Sequence, residues 1–301
     1  MTHSSSDHVY TMADLKCWSE EGVSLAVLGH PVSHSLSPPM HNAAFAKLGE
    51  RLEEFQKWRY YKFDIVPETL PEALCLFHKK RFQGLNLTLP HKVRALNCIE
   101  CLDNSGKKMG AVNTLVWEKE GYRGYNTDGY GLEQALYEDL GAKFEGSTVI
   151  LLGAGGAAQS AGIQAIQSGC NQLWIGNRSH QRLEALLAIL IKEVGSSQRI
   201  EGFNFDNIPH DLPKEGIIIN ATSLGLQPDD PVPFELRADG QHLVFDMIYK
   251  PSPTPLIAQA KKLGRRASNG LGMLIWQGAK AFELWTGQAP MVDVMRAAAN
   301  A

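Results

Sequence analysis

Apolar residues along this chain gather into short runs separated by helical patterns. The run Ser24-Leu-Ala-Val-Leu28 predicts a strand, and the turn Gly29-His-Pro31 leads to Ser37, which can cap a helix with Pro38 at its first position and Gly49 at its end. A strand over Tyr60–Ile65, a helix over Glu68–Lys79 and a strand over Gly84–Thr88 repeat an alternation that signals parallel α/β structure. Ala111–Glu118 and Tyr122–Tyr125, on either side of Glu120-Gly121, predict a hairpin.

A second helical pattern runs from Asp128 to Leu140 and stops at Gly141, after which Thr148-Val-Ile-Leu-Leu152 opens a new strand. Further strands at Gln172–Ile175, Gly216–Asn220 and His242–Asp246 complete a doubly wound pattern, and the apolar helix Met273–Trp285 lies beyond it. The expected organisation is therefore two α/β domains. One comprises residues 23–126, to which 268–301 are assigned as a returning segment in line with the family resemblance given below, and the other residues 127–267. Residues 1–22 form an extension in which Thr11-Met-Ala-Asp14 fits a capping box, predicting a short helix through Leu15 and Trp18 at the surface.

At 301 residues the chain exceeds the roughly 100–200 of a single domain, which agrees with that division. A hydrophobic share of 44% with 20% charged residues is ordinary for a soluble protein, and a net charge of −3 gives no general attraction to nucleic acid. The most apolar stretch, Leu186-Leu-Ala-Ile-Leu-Ile191, is far short of the ~18 residues of a membrane span. Met1–His8 has neither the basic start nor the apolar core of a signal peptide, so a cytoplasmic location is expected. Five cysteines without such a signal argue for reduced thiols, and Cys98 and Cys101, though spaced CxxC, read more simply as two buried thiols on one helix. No metal site is expected, because Pro31 breaks the helix that would align His30 with His34 and His41.

Gly153-Ala-Gly-Gly-Ala-Ala158 follows a strand and opens a helix, matching G-x-G-x-x-G/A. Gly153 permits the tight turn, Gly155 lets the backbone approach a pyrophosphate, and Ala158 allows close packing; Ala154, Gly156 and Ala157 complete the turn. An NAD site would present Asp or Glu about 20 residues on. Here the next strand ends instead in Gly176-Asn-Arg-Ser-His-Gln-Arg182. Arg178 and Arg182 can share a 2′-phosphate, with Asn177 and Ser179 adding neutral hydrogen bonds, so NADP is favoured. Arg182 taken alone also suits a solvated helix face.

Lys92, in Asn86-Leu-Thr-Leu-Pro-His-Lys92, falls in the first turn of a helix, where the helix dipole disfavours a cation. Asp128 begins the helix at the domain junction, where it could simply serve as a cap. Together the two would make a proton-transfer pair, as oxidation of an alcohol by hydride transfer requires.

These segments, with Gly29-His-Pro-Val-Ser-His-Ser-Leu-Ser-Pro38, Gly110-Ala-Val-Asn-Thr114, Asn126-Thr-Asp-Gly129, Asn220-Ala-Thr-Ser223 and Gly270-Leu-Gly-Met-Leu274, resemble the shikimate dehydrogenase family from about Ser24 to the end. The resemblance implies an amino-terminal α/β substrate domain, a Rossmann-type NADP domain and a cleft between them. It implies Lys92 and Asp128 as the catalytic pair, and Ser35, Ser37, Thr88, Asn113 and Gln277 as the residues that hold the hydroxyls and carboxylate of the substrate, with Tyr249 also in reach. Thr222, Met247 and Gly270 would lie on the nicotinamide side. Turn capping by Thr222, core filling by Met247 and a tight bend at Gly270 are the ordinary alternatives. Asn269 departs from the Asp that often precedes the last motif. The implied activity is reversible reduction of 3-dehydroshikimate to shikimate in chorismate biosynthesis, by a monomer or homodimer. The rivals are a quinate/shikimate dehydrogenase with relaxed substrate or NAD use, a non-catalytic quinate-sensing protein, and a folate-type dehydrogenase.

Overall fold

The alternating runs become strands and helices close to where their patterning places them. In the computed structural model, which describes residues 8–194, 199–227 and 229–300, the chain begins with β1 (Val9–Tyr10), α1 (Met12–Lys16), β2 (Val23–Gly29), α2 (Ser37–Gly49), β3 (Trp58–Asp64), α3 (Leu70–Lys79), β4 (Gly84–Leu87) and α4 (His91–Arg94). It continues through β5 (Cys101–Leu102), α5 (Asn104–Met109), β6 (Thr114–Glu118), β7 (Gly121–Tyr125), α6 (Asp128–Leu140), β8 (Thr148–Leu152), α7 (Gly156–Gln167), β9 (Gln172–Gly176) and α8 (His180–Leu190). Then come β10 (Arg199–Phe203), β11 (Glu215–Asn220), β12 (Gln241–Asp246), α9 (Pro255–Lys262), β13 (Ala267–Asn269), α10 (Leu271–Thr286) and α11 (Val292–Ala299). Two compact units result. The first holds the chain up to Thr127 and again from Gln277, and the second holds Asp128–Trp276.

Among the described residues, the strands of the first unit form one sheet in the order β1-β3-β2-β4-β6-β7-β5. β4 and β6 run antiparallel, as do β6 and β7, and the other neighbours are parallel. Strand β3 shows how one sequence serves two layers. Tyr61 and Phe63 enter the apolar cluster with Leu15, Trp18, Phe77 and Phe82, whereas Tyr60 and Lys62 point to the opposite face. That opposite face carries His41 and Phe45 of α2 and Trp285 of α10, with the His41 ring 4.5 Å from Tyr60 and 5.2 Å from Trp285.

Three expectations change here. The extension is not a surface appendage: β1 pairs with β3, Leu15 is fully buried, and the Trp18 indole N–H donates to Ser24 Oγ at 3.2 Å. Its helix stops at Lys16, before Trp18, with the Asp14 carboxylate accepting the Thr11 backbone N–H at 2.7 Å. Residues 1–7 of the extension lie outside the described residues. Ser37 is not a cap; it occupies the first turn of α2 behind Leu36, leaving its hydroxyl available for other partners. Cys98 and Cys101 do not share a helix, because Cys98 follows a 3-10 turn and Cys101 opens β5, and both are half-buried.

The second unit has an all-parallel sheet ordered β10-β9-β8-β11-β12-β13. Counted within the unit, this is 3-2-1-4-5-6, the order of dinucleotide-binding sheets, with its switch point between β8 and β11. Its central strands are buried on both faces, which explains runs such as Val149-Ile-Leu-Leu152 and Ile217-Ile-Ile219. Residues 268–276, expected with the first domain, fall in this unit because β13 adds to the sheet beside β12.

Two features of the first unit make its stability testable. A Cβ at Gly84 would lie 2.1 Å from the Trp285 indole nitrogen, whose N–H donates to Leu115 O at 3.0 Å. Gly84→Ala is expected to cost about 1–3 kcal/mol by overpacking, read from the urea unfolding midpoint. His41 is wholly buried, neither ring nitrogen finds a hydrogen-bond partner among the described residues, and burial lowers its pKa from 6.5 to about 3. The unfolded chain therefore binds a proton that the folded chain refuses, so this contribution to stability is complete above pH 6.5 and is lost as pH falls toward about 3. Its slope is at most about 1.4 kcal/mol per pH unit. His41→Leu should flatten the fall in urea midpoint between pH 7 and pH 5 relative to wild type.

Candidate functional site

On the second unit the glycine-rich turn is shaped by steric exclusion. Gly153 follows β8 with φ +111°, and a Cβ there would press to 3.0 Å from Ala221 O. Its N–H donates to Gly176 O at 2.8 Å, tying the turn to the end of β9. At Gly155 and Gly156 a Cβ would meet nothing within 4 Å, so the space above the first turn of α7 is open to a ligand. Ala158 is fully buried, which lets α7 lie close to the sheet. A pyrophosphate suits this arrangement: backbone amides at a helix N-terminus and an unobstructed approach.

The end of β9 forms the other wall. The Asn177 backbone N–H donates to Phe203 O at 3.1 Å and its side chain donates to Ser179 O at 2.8 Å, while the Ser179 hydroxyl caps α8 by accepting from the Arg182 N–H. Asn204 Nδ2 donates to Arg178 O at 3.1 Å. These bonds engage backbone and neutral groups and leave the guanidinium groups of Arg178 and Arg182 exposed. Gly153, Ala154, Gly155, Asn177, Arg178, Ser179, Arg182 and Thr222 line a single cleft of about 310 Å³ at the carboxyl ends of the strands. Phe205 also lines it, though it carries no recognisable motif.

Thr222 lines the cleft but spends its hydroxyl locally, donating to Asn220 Oδ1 at 2.8 Å and accepting the Leu224 N–H at 3.1 Å. The capping role considered for it is therefore present. Asn220 in turn donates to Asp246 Oδ1 at 2.9 Å, and the other Asp246 oxygen accepts from Thr254 at 2.6 Å. The Ile248 N–H also donates to Asp246 Oδ1 at 3.1 Å, and burial raises the Asp246 pKa against these three hydrogen bonds. Met247 and Gly270 are adjacent, since a Cβ at Gly270 would come within 2.0 Å of Met247 O. Only glycine fits. Tyr249, two residues further, is half-buried, and burial pushes its phenol upward. Asn269 accepts the Leu271 N–H at 3.1 Å at the start of α10. Asp128 is the first residue of α6 and of this unit.

On the first unit, two of the residues assigned to the substrate, Asn113 and Gln277, belong to one polar network. Asn113 is 1% exposed, and its Oδ1 accepts the Thr127 N–H at 2.8 Å while its Nδ2 donates to Gln277 Oε1 at 3.2 Å. The polar amide on the otherwise apolar face of α10 thus has a partner. Ser35 Oγ accepts the Ser37 N–H at 3.3 Å, and Ser37 is buried against the Tyr60 phenol. Thr88 follows β4, its N–H donating to Leu28 O and its carbonyl accepting from His91, so α4 starts immediately behind it and carries Lys92. The Lys92 carbonyl accepts the Val112 N–H at 2.9 Å, which fixes this short helix to the segment bearing Asn113. Asn86, present in the same motif as Thr88 but given no role from sequence, is buried within the network. Among the described residues no three His, Cys, Asp or Glu side chains form a group able to hold a metal ion, and no helix is long and apolar enough to cross a membrane.

Known proteins resemble this chain along most of its length. Residues 27–115 match the shikimate dehydrogenase substrate binding domain, and residues 270–299 match the shikimate 5′-dehydrogenase C-terminal domain. A shikimate dehydrogenase (NADP(+)) of Methanopyrus kandleri is 38% identical over 277 residues, covering 91% of this chain and 93% of its own. The crystal structure of shikimate 5-dehydrogenase from Thermus thermophilus with NADP(H) and shikimate superposes with a TM-score of 0.79 at 34% identity, covering 92% of this chain and 98% of that one. A quinate dehydrogenase from Corynebacterium glutamicum in complex with NAD gives a TM-score of 0.80 at 28% identity, with 92% and 98% coverage. Full-length similarity at this identity, joined to the motifs and the strand order, places the chain in the shikimate dehydrogenase family.

Proposed function

We propose that this chain catalyses the reversible NADP-dependent reduction of 3-dehydroshikimate to shikimate, a step of chorismate biosynthesis, in the cytoplasm as a monomer or homodimer. The observation that carries the reading is the paired arginine end of β9 beside the open glycine turn, in a chain whose full-length relatives are named for shikimate and NADP(+). Arg178 and Arg182 hold the 2′-phosphate as bidentate donors, with Asn177 and Ser179 beside them. Gly153, Ala154, Gly155, Gly156 and Ala157 receive the pyrophosphate, and Thr222, Met247 and Gly270 border the nicotinamide. NADPH supplies the hydride when bound.

The remaining work falls to side chains. Ser35, Ser37, Thr88, Asn113, Gln277 and Tyr249 offer the short donors and acceptors that a small polyhydroxylated acid needs in place of an apolar pocket. Lys92 Nζ gives a proton to the carbonyl oxygen as it becomes a hydroxyl, and takes it back in the reverse direction. Asp128 holds that ammonium and balances its charge.

The test is NADPH formation followed by absorbance, with shikimate or quinate offered against NADP or NAD. Turnover preferring shikimate and NADP is expected; turnover confined to quinate and NAD would replace this reading with that of the quinate dehydrogenase, and binding without turnover would favour a sensor. Lys92→Ala is expected to lower kcat by about 10²–10⁴-fold, the range of general acid–base help. Arg178→Ala and Arg182→Ala should each raise KM for NADP by about tenfold or more, as loss of a charge-assisted hydrogen bond implies, while leaving KM for NAD nearly unchanged.

A further inference from the structure

Alternate residues of a strand share a face, and on β3 Tyr60, Lys62 and Asp64 all reach the loop between β2 and α2. Asp64 Oδ1 meets His30 Nδ1 at 2.5 Å, where the loop begins. Lys62, 5% exposed, donates from Nζ to Ser33 O at 3.1 Å, in its middle. The Ser37 side chain, where the loop passes into α2, lies beside the Tyr60 hydroxyl. Successive rungs of one strand therefore hold the segment that carries Ser35 and Ser37.

Tyr60 extends this hold across the sheet. Its hydroxyl donates to Asn86 Oδ1 at 2.7 Å, and Asn86 Nδ2 donates to Asn113 O at 3.1 Å and to Thr114 Oγ1 at 3.0 Å. Thr114 Oγ1 donates to Asn113 Oδ1 at 3.1 Å, and Asn113 Nδ2 reaches Gln277. The phenol cannot swing away. Its ring is 2% exposed and stacks on His41, and the Asn42 carboxamide brackets its backbone, accepting the Tyr60 N–H at 2.8 Å and donating to the Tyr60 carbonyl at 2.9 Å.

We infer that Tyr60, with Lys62 beside it, is a positioning residue that sets Ser37 and Asn86 in register with Asn113 and Gln277, and so fixes the cradle that receives the substrate's carboxylate and hydroxyls. This rests on the proposed function for the identity of the ligand. Tyr60 touches no reacting atom, so its hydroxyl acts on binding and not on the chemical step.

Steady-state kinetics with shikimate and NADP would be measured for wild type, Tyr60→Phe, Ser37→Ala, the double variant and Lys62→Met, with a melting curve for each. Tyr60→Phe keeps the ring and removes one hydroxyl. It should raise KM for shikimate about tenfold, with kcat within about twofold and KM for NADP unchanged. Because Tyr60 acts through Ser37, the two substitutions together should raise KM by clearly less than the product of their separate effects. Lys62→Met should likewise raise KM for shikimate selectively, and it decides the matter if Tyr60→Phe does not fold. A wild-type-like KM in Tyr60→Phe, multiplicative effects in the double variant, or a general loss of both affinities with a lower melting temperature would each overturn the inference while leaving the proposed function intact. A wild type that does not turn over shikimate would overturn both.

Discussion

One carboxamide governs how the first unit is closed. Asn113 is almost wholly removed from water, and a buried amide left without partners would cost about 1–3 kcal/mol for each orphaned group. It finds those partners at two distant points of the chain: the backbone N–H of Thr127, the last residue before the chain leaves the unit, and the side chain of Gln277, the first residue after it returns. A segment of 149 residues, Asp128–Trp276, is thus inserted between two chain points secured to the same side chain. The hydroxyls of Thr114 and Thr127 also hydrogen-bond this side chain, so several bonds fix its orientation together.

Much of the fold was legible in the sequence, for identifiable reasons. The runs at Thr148–Leu152 and Gly216–Asn220 are continuously apolar because both faces of a parallel sheet are covered, and such runs are hard to mistake when glycine bounds them. The helix Asp128–Leu140 was delimited by Gly141, whose φ of +59° suits glycine. What escaped was structure set by tertiary pairing. β10 has a mixed sequence, Arg199-Ile-Glu-Gly-Phe203, and gains its strand character from β9 alongside; β13 is three residues long and exists only because β12 offers an edge. The amino-terminal segment lacked any periodic signal for burial, yet Tyr10 and Trp18 pack against Tyr61 and Phe63.

The site divides along a similar line. The sequence placed Gly153, Gly155 and the two arginines at neighbouring strand ends, and they line one cleft, because glycines after a strand and charges at a strand end are visible in the sequence itself. Residues whose role depends on what lies beneath them are not. Tyr60 reads as one more aromatic of an alternating strand, and nothing in its neighbours announces Asn86, twenty-six positions away, as its acceptor. The place of Ser37 before Pro38 reads as a helix cap, whereas it lies inside the first turn, beside that phenol. Thr222 illustrates the opposite outcome: it lines the cleft beside the glycine-rich turn and also serves its own turn, so the two readings are not exclusive.

The short strand formed by the extension has a counterpart across the same sheet. β1 spans two residues at one margin and β5 spans two at the other, while the strands between them run to as many as seven. A two-residue border presents too little unpaired backbone to template the strand of another molecule, and the seven-residue β3 that would otherwise form the border is shielded along part of its length. The first unit thereby guards a hydrogen-bonding surface that every open sheet must expose somewhere, and it does so with four residues at the borders of a fold whose chemistry lies well inside them.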